Sequence, residues 1–283
     1  MLVSRDRKYA LNLNYLLGST FSRVVNVILS SGWFPLTRGF PYGVSWVFDV
    51  QRLMRTRSLG VVFDVGANIG QTSTVLVRYA PTAEIYCFEP GSIPFRVLQE
   101  KFQDRKNVHL LNTALGSRPQ RLALQVSANS ELNTLIPRPG TDASSETQMT
   151  EVATVDDVVA THAISHLTLL KIDVQGWEVE VMKGAANLIA NQNLIFVFAE
   201  VAFQRKETEM QQFGELHAHL EKSGFVLCGF YDLMRYGPRK EFVLFANALY
   251  MHPEARLKWA DVGMEWNEWL SHQKPIGTRH DRR

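Results

Sequence analysis

Residues 61–70, VVFDVGANIG, combine the residue types that a nucleoside-like ligand requires. An apolar run rich in valine ends at Asp64 and passes into a turn with Gly66 and Gly70, after which residues 72–79 are predicted to form a helix. Glycines let the backbone approach a ligand closely, and the first turn of a helix offers unpaired N–H groups. The stretch therefore predicts a strand, a binding loop and the start of a helix.

This loop does not fit the two common phosphate-binding patterns. It has no lysine where a Walker loop requires one, and Asn68 and Gln71 stand where the dinucleotide fingerprint has its second and third glycines. The pattern D-x-G-x-N-x-G instead favours a sulfonium nucleoside. We expect Asp64 to offset the positive charge of such a ligand and Gly66 to leave room for its amino-acid moiety.

Further polar residues end the neighbouring predicted strands. In an open parallel sheet, ligands lie beyond the carboxyl ends of the strands. Glu89 comes 25 positions after Asp64, a spacing that suits a carboxylate accepting hydrogen bonds from both ribose hydroxyls. Asn112 and Ala114 follow the third strand, and we expect them to flank the adenine. Asp173 ends the fourth strand at the same edge.

Apolar strand-like runs alternate with helix-period segments from residue 59 onward, which indicates a parallel sheet with helices on both faces. We predict strands at 61–65, 84–89, 108–112, 167–173, 194–201, 225–231 and 242–250, and helices at 72–79, 93–102, 156–161, 177–190 and 207–223. Residues 121–150 interrupt the alternation with short apolar runs between Ser, Asn, Pro and Gly. They predict an inserted hairpin and loop above the sheet that contacts the substrate.

The composition is that of an ordinary soluble protein. The 283 residues are 46% hydrophobic and 20% charged, and a net charge of +2 gives no electrostatic case for a nucleic-acid partner. Cys87 and Cys228 each lie inside an apolar run and have no metal-binding spacing. We expect both to be reduced core residues of an intracellular, cytoplasmic protein.

The ends of the chain predict smaller appendages. We expect residues 1–57 to form an N-terminal helical extension with amphipathic helices within 9–33, ending in a polar segment, 49–58, before the main domain at 58–250. A tail at 251–283 would carry a short helix within 253–270. No apolar stretch has the length of a membrane span. A weak peripheral membrane contact through 9–33 is an alternative that the pattern leaves open.

Several blocks together resemble the FkbM-type methyltransferases. They are DVGANIG at 64–70, FEP at 88–90, NTALG at 112–116, TVDD at 154–157 and LLKIDVQGWEVEVMKGA at 169–185. The blocks stand in family order and cover about residues 60–203. The resemblance implies a class I methyltransferase fold: a Rossmann-like α/β sandwich with a mostly parallel seven-stranded sheet. It also implies S-adenosylmethionine as methyl donor, and as acceptor a hydroxyl on a small molecule, glycan or lipid-linked sugar.

The resemblance assigns roles by matching positions. Its cofactor-binding residues would be Asp64, Gly66, Ala67, Asn68, Gly70 and Glu89. Asp173, Gly176 and Glu178 would form the family's D-x-E-G-x-E element. This chain departs from that element at Gln175, where the family usually has Glu, so no role that requires a carboxylate there carries over.

The candidate catalytic residues are Asp173, Glu178 and Glu200. Because the sulfonium is an activated donor, the site must hold the acceptor hydroxyl in line with the methyl group and remove its proton. We expect Asp173 to act as base or orienting partner, with Glu178 and Glu200 sharing the site. Glu178 could instead be a favourable charge at a helix N-terminus, and the three acids could bind a hard cation. No other set of metal ligands is predicted.

The sequence therefore predicts an S-adenosylmethionine-dependent O-methyltransferase. Two alternatives stay open: a nicotinamide-dependent oxidoreductase on the same strand-loop-helix unit, and a non-catalytic methyltransferase-like binding protein. The identity of the acceptor and the oligomeric state do not follow from the sequence.

Overall fold

A computed structural model of the chain describes residues 41–127, 129–136, 147–204 and 210–260. The chain divides into two compact units, residues 1–44 and 45–283, and the helices and strands below all lie in the second. The predicted helices within 9–33 and the end of the predicted helix 253–270 lie outside the described residues. The domain limits drawn from the sequence stay a prediction.

Ten strands make up the sheets of the second unit. They are β1 (Val61–Val65), β2 (Glu84–Phe88), β3 (Val108–Leu111), β4 (Ala114–Leu115), β5 (Gln120–Gln125), β6 (Thr147–Ala153), β7 (Leu167–Ile172), β8 (Leu194–Ala202), β9 (Val226–Tyr236) and β10 (Phe242–Met251). Seven of them form the main sheet in the order β3, β2, β1, β7, β8, β10, β9. The first five are parallel to one another, and β10 runs antiparallel to both of its neighbours.

Eight α-helices accompany these strands in the described part of the chain. They are α1 (Trp46–Met54), α2 (Gln71–Tyr79), α3 (Ser92–Phe102), α4 (Val155–Thr161), α5 (Glu178–Lys183), α6 (Ala186–Ala190), α7 (Phe213–Lys222) and α8 (Pro253–Trp259). Together with the main sheet they confirm the predicted α/β sandwich.

The main sheet is buried on both faces because helices cover each of them. Successive side chains of a strand point to opposite faces, so Val62 packs into one apolar cluster with Leu76 of α2 and Leu98 of α3. Phe63 packs into the other cluster with Leu216 of α7. Burial on both faces explains why the central strands read as continuous apolar runs.

The predicted helix 177–190 is two helices, α5 and α6. The break falls at Gly184, where an added Cβ would lie 2.1 Å from the carbonyl oxygen of Gly116. Backbone from the small sheet thus packs directly on the glycine. The carboxylate of Asp156 then accepts hydrogen bonds from the N–H groups of Asn187 and Leu188 and caps α6.

The segment 49–58, predicted as the polar end of the helical extension, contributes residues 49–54 to α1. Its Asp49 is buried and accepts a hydrogen bond from the hydroxyl of Tyr231 at 2.7 Å. Val47 and Met54 on the same helix belong to the apolar core of the second unit. The polar segment therefore contributes a buried acid, Asp49, to the core.

Strand β9 continues five residues beyond its predicted end at Tyr231 and lies at the edge of the main sheet. This position corrects one expectation, because Cys228 on β9 is exposed, whereas Cys87 on the interior strand β2 is buried as predicted. An edge strand lacks a neighbour on one side, so an apolar run in it does not guarantee burial.

The insertion is a second sheet with the strand order β4, β6, β5. Strands β5 and β6 pair antiparallel, from Gln120 opposite Val152 to Gln125 opposite Thr147, which confirms the predicted hairpin. A 3-10 turn, Ser130–Leu132, follows β5. The insertion therefore brings a folded turn back toward the main sheet.

Candidate active site

A cavity of about 410 Å³ lies at the carboxyl ends of the central strands. Its lining comes from the glycine loop, from the turns after β2 and β7, from Glu200 in β8, and from residues 130–135 of the insertion. The strand order changes direction between β1 and β7, so the cavity lies at the topological switch point where open α/β sheets bind ligands.

The glycine loop is shaped by close backbone packing. Gly66 has a φ of +73°, and a Cβ there would lie 1.9 Å from the carbonyl oxygen of Asp173. Gly70 has a φ of +80° and packs against the ring of Phe102. Gly70 is therefore required by local packing and does not line the cavity. Gly66, Ala67 and Asn68 do line it. The loop thus presents three of its predicted residues to a ligand.

Glu89 stands at the cavity directly after β2. Its carboxylate accepts the N–H of Asn68 at 2.8 Å and the N–H of Gly91 at 2.7 Å, one on each oxygen. Burial raises the pKa of Glu89 to about 7, although these two N–H groups oppose the shift. Each oxygen keeps a further lone pair, so the carboxylate can still accept the two hydroxyls of a ribose.

Asp64 does not face the cavity, contrary to the expectation that it offsets a ligand's charge. It is fully buried, accepts the hydroxyl of Ser73, and lies 3.0 Å from the ammonium nitrogen of Lys171. Its negative charge is therefore balanced inside the protein. The sequence argument placed Asp64 correctly at the strand end but could not show which way its side chain points.

Lys171 is the main site residue that the sequence argument missed. Its Nζ donates to the carbonyl oxygen of Gly66 at 3.0 Å and lies 3.8 Å from Asp173. Burial by itself would lower the pKa of this lysine, but the carboxylates of Asp64 and Asp173 raise it above its ordinary value. A lysine inside the mostly apolar strand LTLLKI was the available signal, because a buried lysine requires a charged partner.

Asp173 and Glu200 lie together at the other end of the cavity. The side-chain amide of Gln175 bridges them, with its Nε2 at 3.1 Å from Asp173 Oδ1 and 3.1 Å from Glu200 Oε2. Burial raises the pKa of Glu200 to about 7, and the charge of Asp173 adds to that shift. Two of the three predicted catalytic residues are thus within reach of one ligand.

Glu178 is not at the cavity surface. Its side chain is 1% exposed, its Oε1 accepts the N–H of Val174 at 3.0 Å, and its Oε2 has no hydrogen-bond partner among the described residues. Burial raises its pKa to about 8. The carboxyl therefore stabilises the loop between β7 and α5 through its hydrogen bond with the N–H of Val174.

The two predicted adenine-flanking residues have different positions. Ala114 in β4 lines the cavity together with Leu115 and Phe88. Asn112 does not line it. Its amide donates to the carbonyl oxygens of Glu89 and Pro90 and fixes the turn after β2.

Hydrogen bonds from residues 130–134 join the insertion to the loops of the main sheet. Ser130 donates to Asn68 at 2.8 Å, and Gln71 donates to Glu131 at 3.0 Å, so the 3-10 turn covers the glycine loop. The hydroxyl of Thr134 donates to the backbone carbonyl of Gln175 at 2.9 Å. The insertion therefore closes the cavity on both sides, as a substrate-contacting element would.

The residues present fit S-adenosylmethionine, the cofactor that the resemblance implies. Glu89 supplies a buried acceptor for a diol, and the apolar side chains of Phe88, Ala114 and Leu115 beside it supply walls for a flat base. Gly66 and Ala67 line the cavity without bulky side chains and so leave room for the amino-acid end.

The described residues contain neither a cluster of metal ligands nor a membrane-spanning helix, and the peripheral membrane contact predicted for 9–33 lies outside them. Within 41–127, 129–136, 147–204 and 210–260, no group of three or more His, Cys, Asp or Glu side chains is arranged to hold a metal ion. The cation site of Asp173, Glu178 and Glu200 is therefore wrong for this part of the chain, since Glu178 lies behind the loop. No described helix has the length and apolar character to cross a membrane.

Comparisons with known proteins identify relatives of this architecture. The model of the methyltransferase FkbM domain matches residues 64–227, more than half of the chain. Over 155 residues the chain is 30% identical to the hexuronic acid methyltransferase AglP of Haloferax volcanii, a match that covers 53% of this chain and 60% of that protein. The match spans less than two thirds of that relative's length.

The solved structures that match this chain share little sequence with it. One is an rRNA methylase from Streptococcus thermophilus, with 8% identity, a TM-score of 0.41, and coverage of 72% of this chain and 93% of that one. Another is fibrillarin from Aeropyrum pernix with natively bound S-adenosyl-L-methionine, with 14% identity, a TM-score of 0.39, and coverage of 68% and 67%.

Proposed function

The chain belongs to the FkbM methyltransferase family, and we propose that it transfers the methyl group of S-adenosylmethionine to a hydroxyl of a sugar. The observation that carries this proposal is the distribution of carboxylates along one cavity. Glu89 follows β2, whereas Asp173 follows β7 and Glu200 lies in β8, two and three strands away. Neighbouring strands are about 4.8 Å apart, so roughly 10 to 14 Å separates the two ends.

At the β2 end, the protein binds the nucleoside. Glu89 accepts the ribose hydroxyls, the apolar walls hold the base, and the backbone of Gly66 and Ala67 contacts the amino-acid end. S-adenosylmethionine supplies an electrophilic methyl group on its sulfonium. The protein's remaining task is to position the acceptor oxygen and remove its proton.

At the β8 end, Glu200 accepts the proton of the hydroxyl and Asp173 orients that hydroxyl. A pKa of about 7 leaves Glu200 partly ionised at neutral pH while it remains basic enough to take a proton. The ammonium group of Lys171, 3.8 Å from the carboxylate of Asp173, helps to position that carboxylate. Glu178 acts only by supporting the loop that carries Asp173 and Gln175.

A sugar acceptor is supported by two observations of different kind. The Haloferax relative is named for a hexuronic acid substrate. In this chain, a groove of about 800 Å³ shares Met210 with the cavity and is lined by Phe203 and Phe213, whose ring centroids lie 5.3 Å apart. These stacked rings give the groove an apolar wall, against which the C–H face of a sugar ring can pack. The free thiols of Cys87 and Cys228 support a reducing, cytoplasmic location.

Calorimetric titration with S-adenosylmethionine, S-adenosylhomocysteine and NAD tests the donor. We expect micromolar binding of both adenosyl ligands and none of NAD. Binding of NAD alone would favour the nicotinamide alternative and contradict the proposal.

Transfer of a labelled methyl group tests the acceptor. The panel consists of a neutral monosaccharide, a hexuronic acid, a lipid-linked sugar and a non-sugar alcohol. We expect labelled product with a sugar, and the label should be stable to mild base as an ether is. Label only in the non-sugar alcohol, or a base-labile ester, would contradict methylation of a sugar hydroxyl.

A further inference from the structure

We infer that Gln175 is a positioning residue that holds Asp173 and Glu200 on one uncharged amide group and thereby sets the pH range in which Glu200 accepts a proton. The inference rests on the proposed function for the use of Glu200 as proton acceptor. It concerns the position at which this chain departs from the family's usual glutamate.

The geometry requires a donor at this position. Nε2 of Gln175 lies 3.1 Å from a carboxylate oxygen of Asp173 and 3.1 Å from one of Glu200. An amide –NH₂ group has two hydrogens, so it serves both acceptors at once. The opposite orientation of the amide would place its oxygen against two acceptors and is excluded on that ground.

The backbone fixes the side chain between the two acids. Gln175 has a φ of +54°, a left-handed conformation that is strained for a non-glycine residue. The hydroxyl of Thr134, a buried residue of the insertion, donates to the Gln175 carbonyl and holds this conformation. The insertion and the main sheet therefore jointly place the amide.

Charged groups surround Glu200 on several elements. Asp173, Lys171 and Glu131 of the insertion act on it directly, and Glu178 lies behind the same loop. Among these Lys171 is the only cation, and it is shared with Asp64 and Asp173. Asn247 on β10, opposite Glu200 in the sheet, is neutral.

The neutral amide of Gln175 affects the pKa of Glu200 in one direction. The amide hydrogen bond stabilises the ionised form of Glu200 and lowers its pKa, against burial and the charge of Asp173, which raise it. A glutamate at 175 would remove the donor and add a negative charge. The pKa of Glu200 should then rise, and Glu200 would stay protonated at neutral pH.

The test compares Gln175→Glu with a matched control, Gln192→Glu. Gln192 also has a positive φ, +55°, and its amide also donates to a carboxylate, that of Glu254, away from the cavity. Carbon-13 chemical shifts of glutamate carboxyls, with the Glu200 signal assigned by Glu200→Gln, report the titration without any need for activity.

We expect Glu200 to titrate at least roughly one pH unit higher in Gln175→Glu than in the wild-type protein, and unchanged in Gln192→Glu. The acid limb of the pH profile of kcat should move by the same amount, with the calorimetric Kd for S-adenosylmethionine unchanged. An unshifted Glu200 titration in Gln175→Glu would overturn the inference.

Gln175→Met covers the case in which Gln175→Glu does not fold, because it removes the donor without adding charge. Its Glu200 titration should shift upward by a smaller amount, and no shift would also overturn the inference. A shifted titration in a protein that methylates no hydroxyl would leave the positioning role standing and refute the proposed function instead. The two failures are therefore distinguishable.

Discussion

Glu200 is half-buried and lines the cavity. Burial brings its pKa close to neutral, and the cavity gives it access to a ligand. Asp173 lies at the same end but has Lys171 beside it. The two acids therefore have different environments, and such differences separate a proton acceptor from an orienting group.

Replacement of Glu200 by glutamine should lower kcat by roughly 100-fold or more, because it removes general-base catalysis. Kd for S-adenosylmethionine should stay within about twofold, since Glu89 and the glycine loop are untouched. Rates of methyl transfer and calorimetry measure the two quantities. For the wild-type enzyme, kcat should rise with pH through about pH 7, as Glu200 loses its proton.

The matched control is Glu254→Gln, which changes the same side chain on α8, where Glu254 accepts a hydrogen bond from Gln192. It should leave kcat and its pH dependence unchanged. Full activity in Glu200→Gln would assign the base to another residue.

Glu178 predicts a pH dependence of stability. Its pKa is raised to about 8 in the folded protein, so the folded state binds its proton more tightly than the unfolded state does. The free energy of unfolding should therefore fall as pH rises from about 4.5 to 8. Glu178→Gln, which resembles the protonated acid, should be more stable than the wild-type protein at pH 9, by on the order of 1 to 4 kcal/mol, and similar at pH 5. Urea unfolding at both pH values measures this difference, and equal differences at both would contradict the assignment.

At the scale of elements, the insertion is held to the main sheet by close backbone packing as well as by hydrogen bonds. Gly116 follows β4, and its carbonyl oxygen lies against Gly184 at the end of α5. The contact fixes the small sheet, which lines the cavity through Ala114 and Leu115. A substitution at Gly184 should therefore affect both the stability of the protein and the shape of the cavity.

Gly184→Ala should be destabilised by roughly 2 kcal/mol or more, because its Cβ would lie 2.1 Å from a backbone atom that cannot rotate away. Gly214→Ala is the matched control in helix α7, where an added Cβ meets nothing within 4 Å. There the substitution should be neutral or stabilise by up to about 1 kcal/mol. Urea unfolding of both variants checks the prediction, and equal stability of the two would show that the small sheet can move away from α5.

At the scale of the whole molecule, an ion pair joins the two halves of the main sheet at its switch point. Asp64 on β1 and Lys171 on β7 are both buried, 3.0 Å apart. Each charge offsets the desolvation cost of the other, because a lone buried charge is strongly destabilising whereas a buried ion pair is often tolerated. The charge partner of Asp64, which begins the glycine loop, is therefore Lys171 and not a ligand.

Lys171→Met should lower the free energy of unfolding by about 3 to 5 kcal/mol, because it leaves Asp64 buried without a cation. The double variant Asp64→Asn with Lys171→Met should recover most of that loss. Lys183→Met, which removes the exposed pair with Glu180, should cost less than about 1 kcal/mol. Urea unfolding of the three variants measures these differences, and a double variant no more stable than Lys171→Met would contradict the role of the pair.

The sequence by itself determined the seven strands of the main sheet, the glycine loop, the family, and the set of acids at the strand ends. These features depend on local patterns, because apolar period, glycine spacing and motif blocks are properties of neighbouring residues. Gly66, Ala67, Asn68 and Glu89 line the cavity as their positions in the motif suggested. The break within 177–190 was missed because its cause, the backbone of Gly116, is distant in sequence.

Only the tertiary structure decided which way the acidic side chains point. Asp64 turns to Lys171, Glu178 turns beneath the loop, and Glu200 meets Asp173 through Gln175. The direction of each side chain depends on its hydrogen-bond or ion-pair partner, which comes from another strand or loop. A side chain's direction and charge are set by contacts between distant segments, so they follow from packing and not from the local sequence.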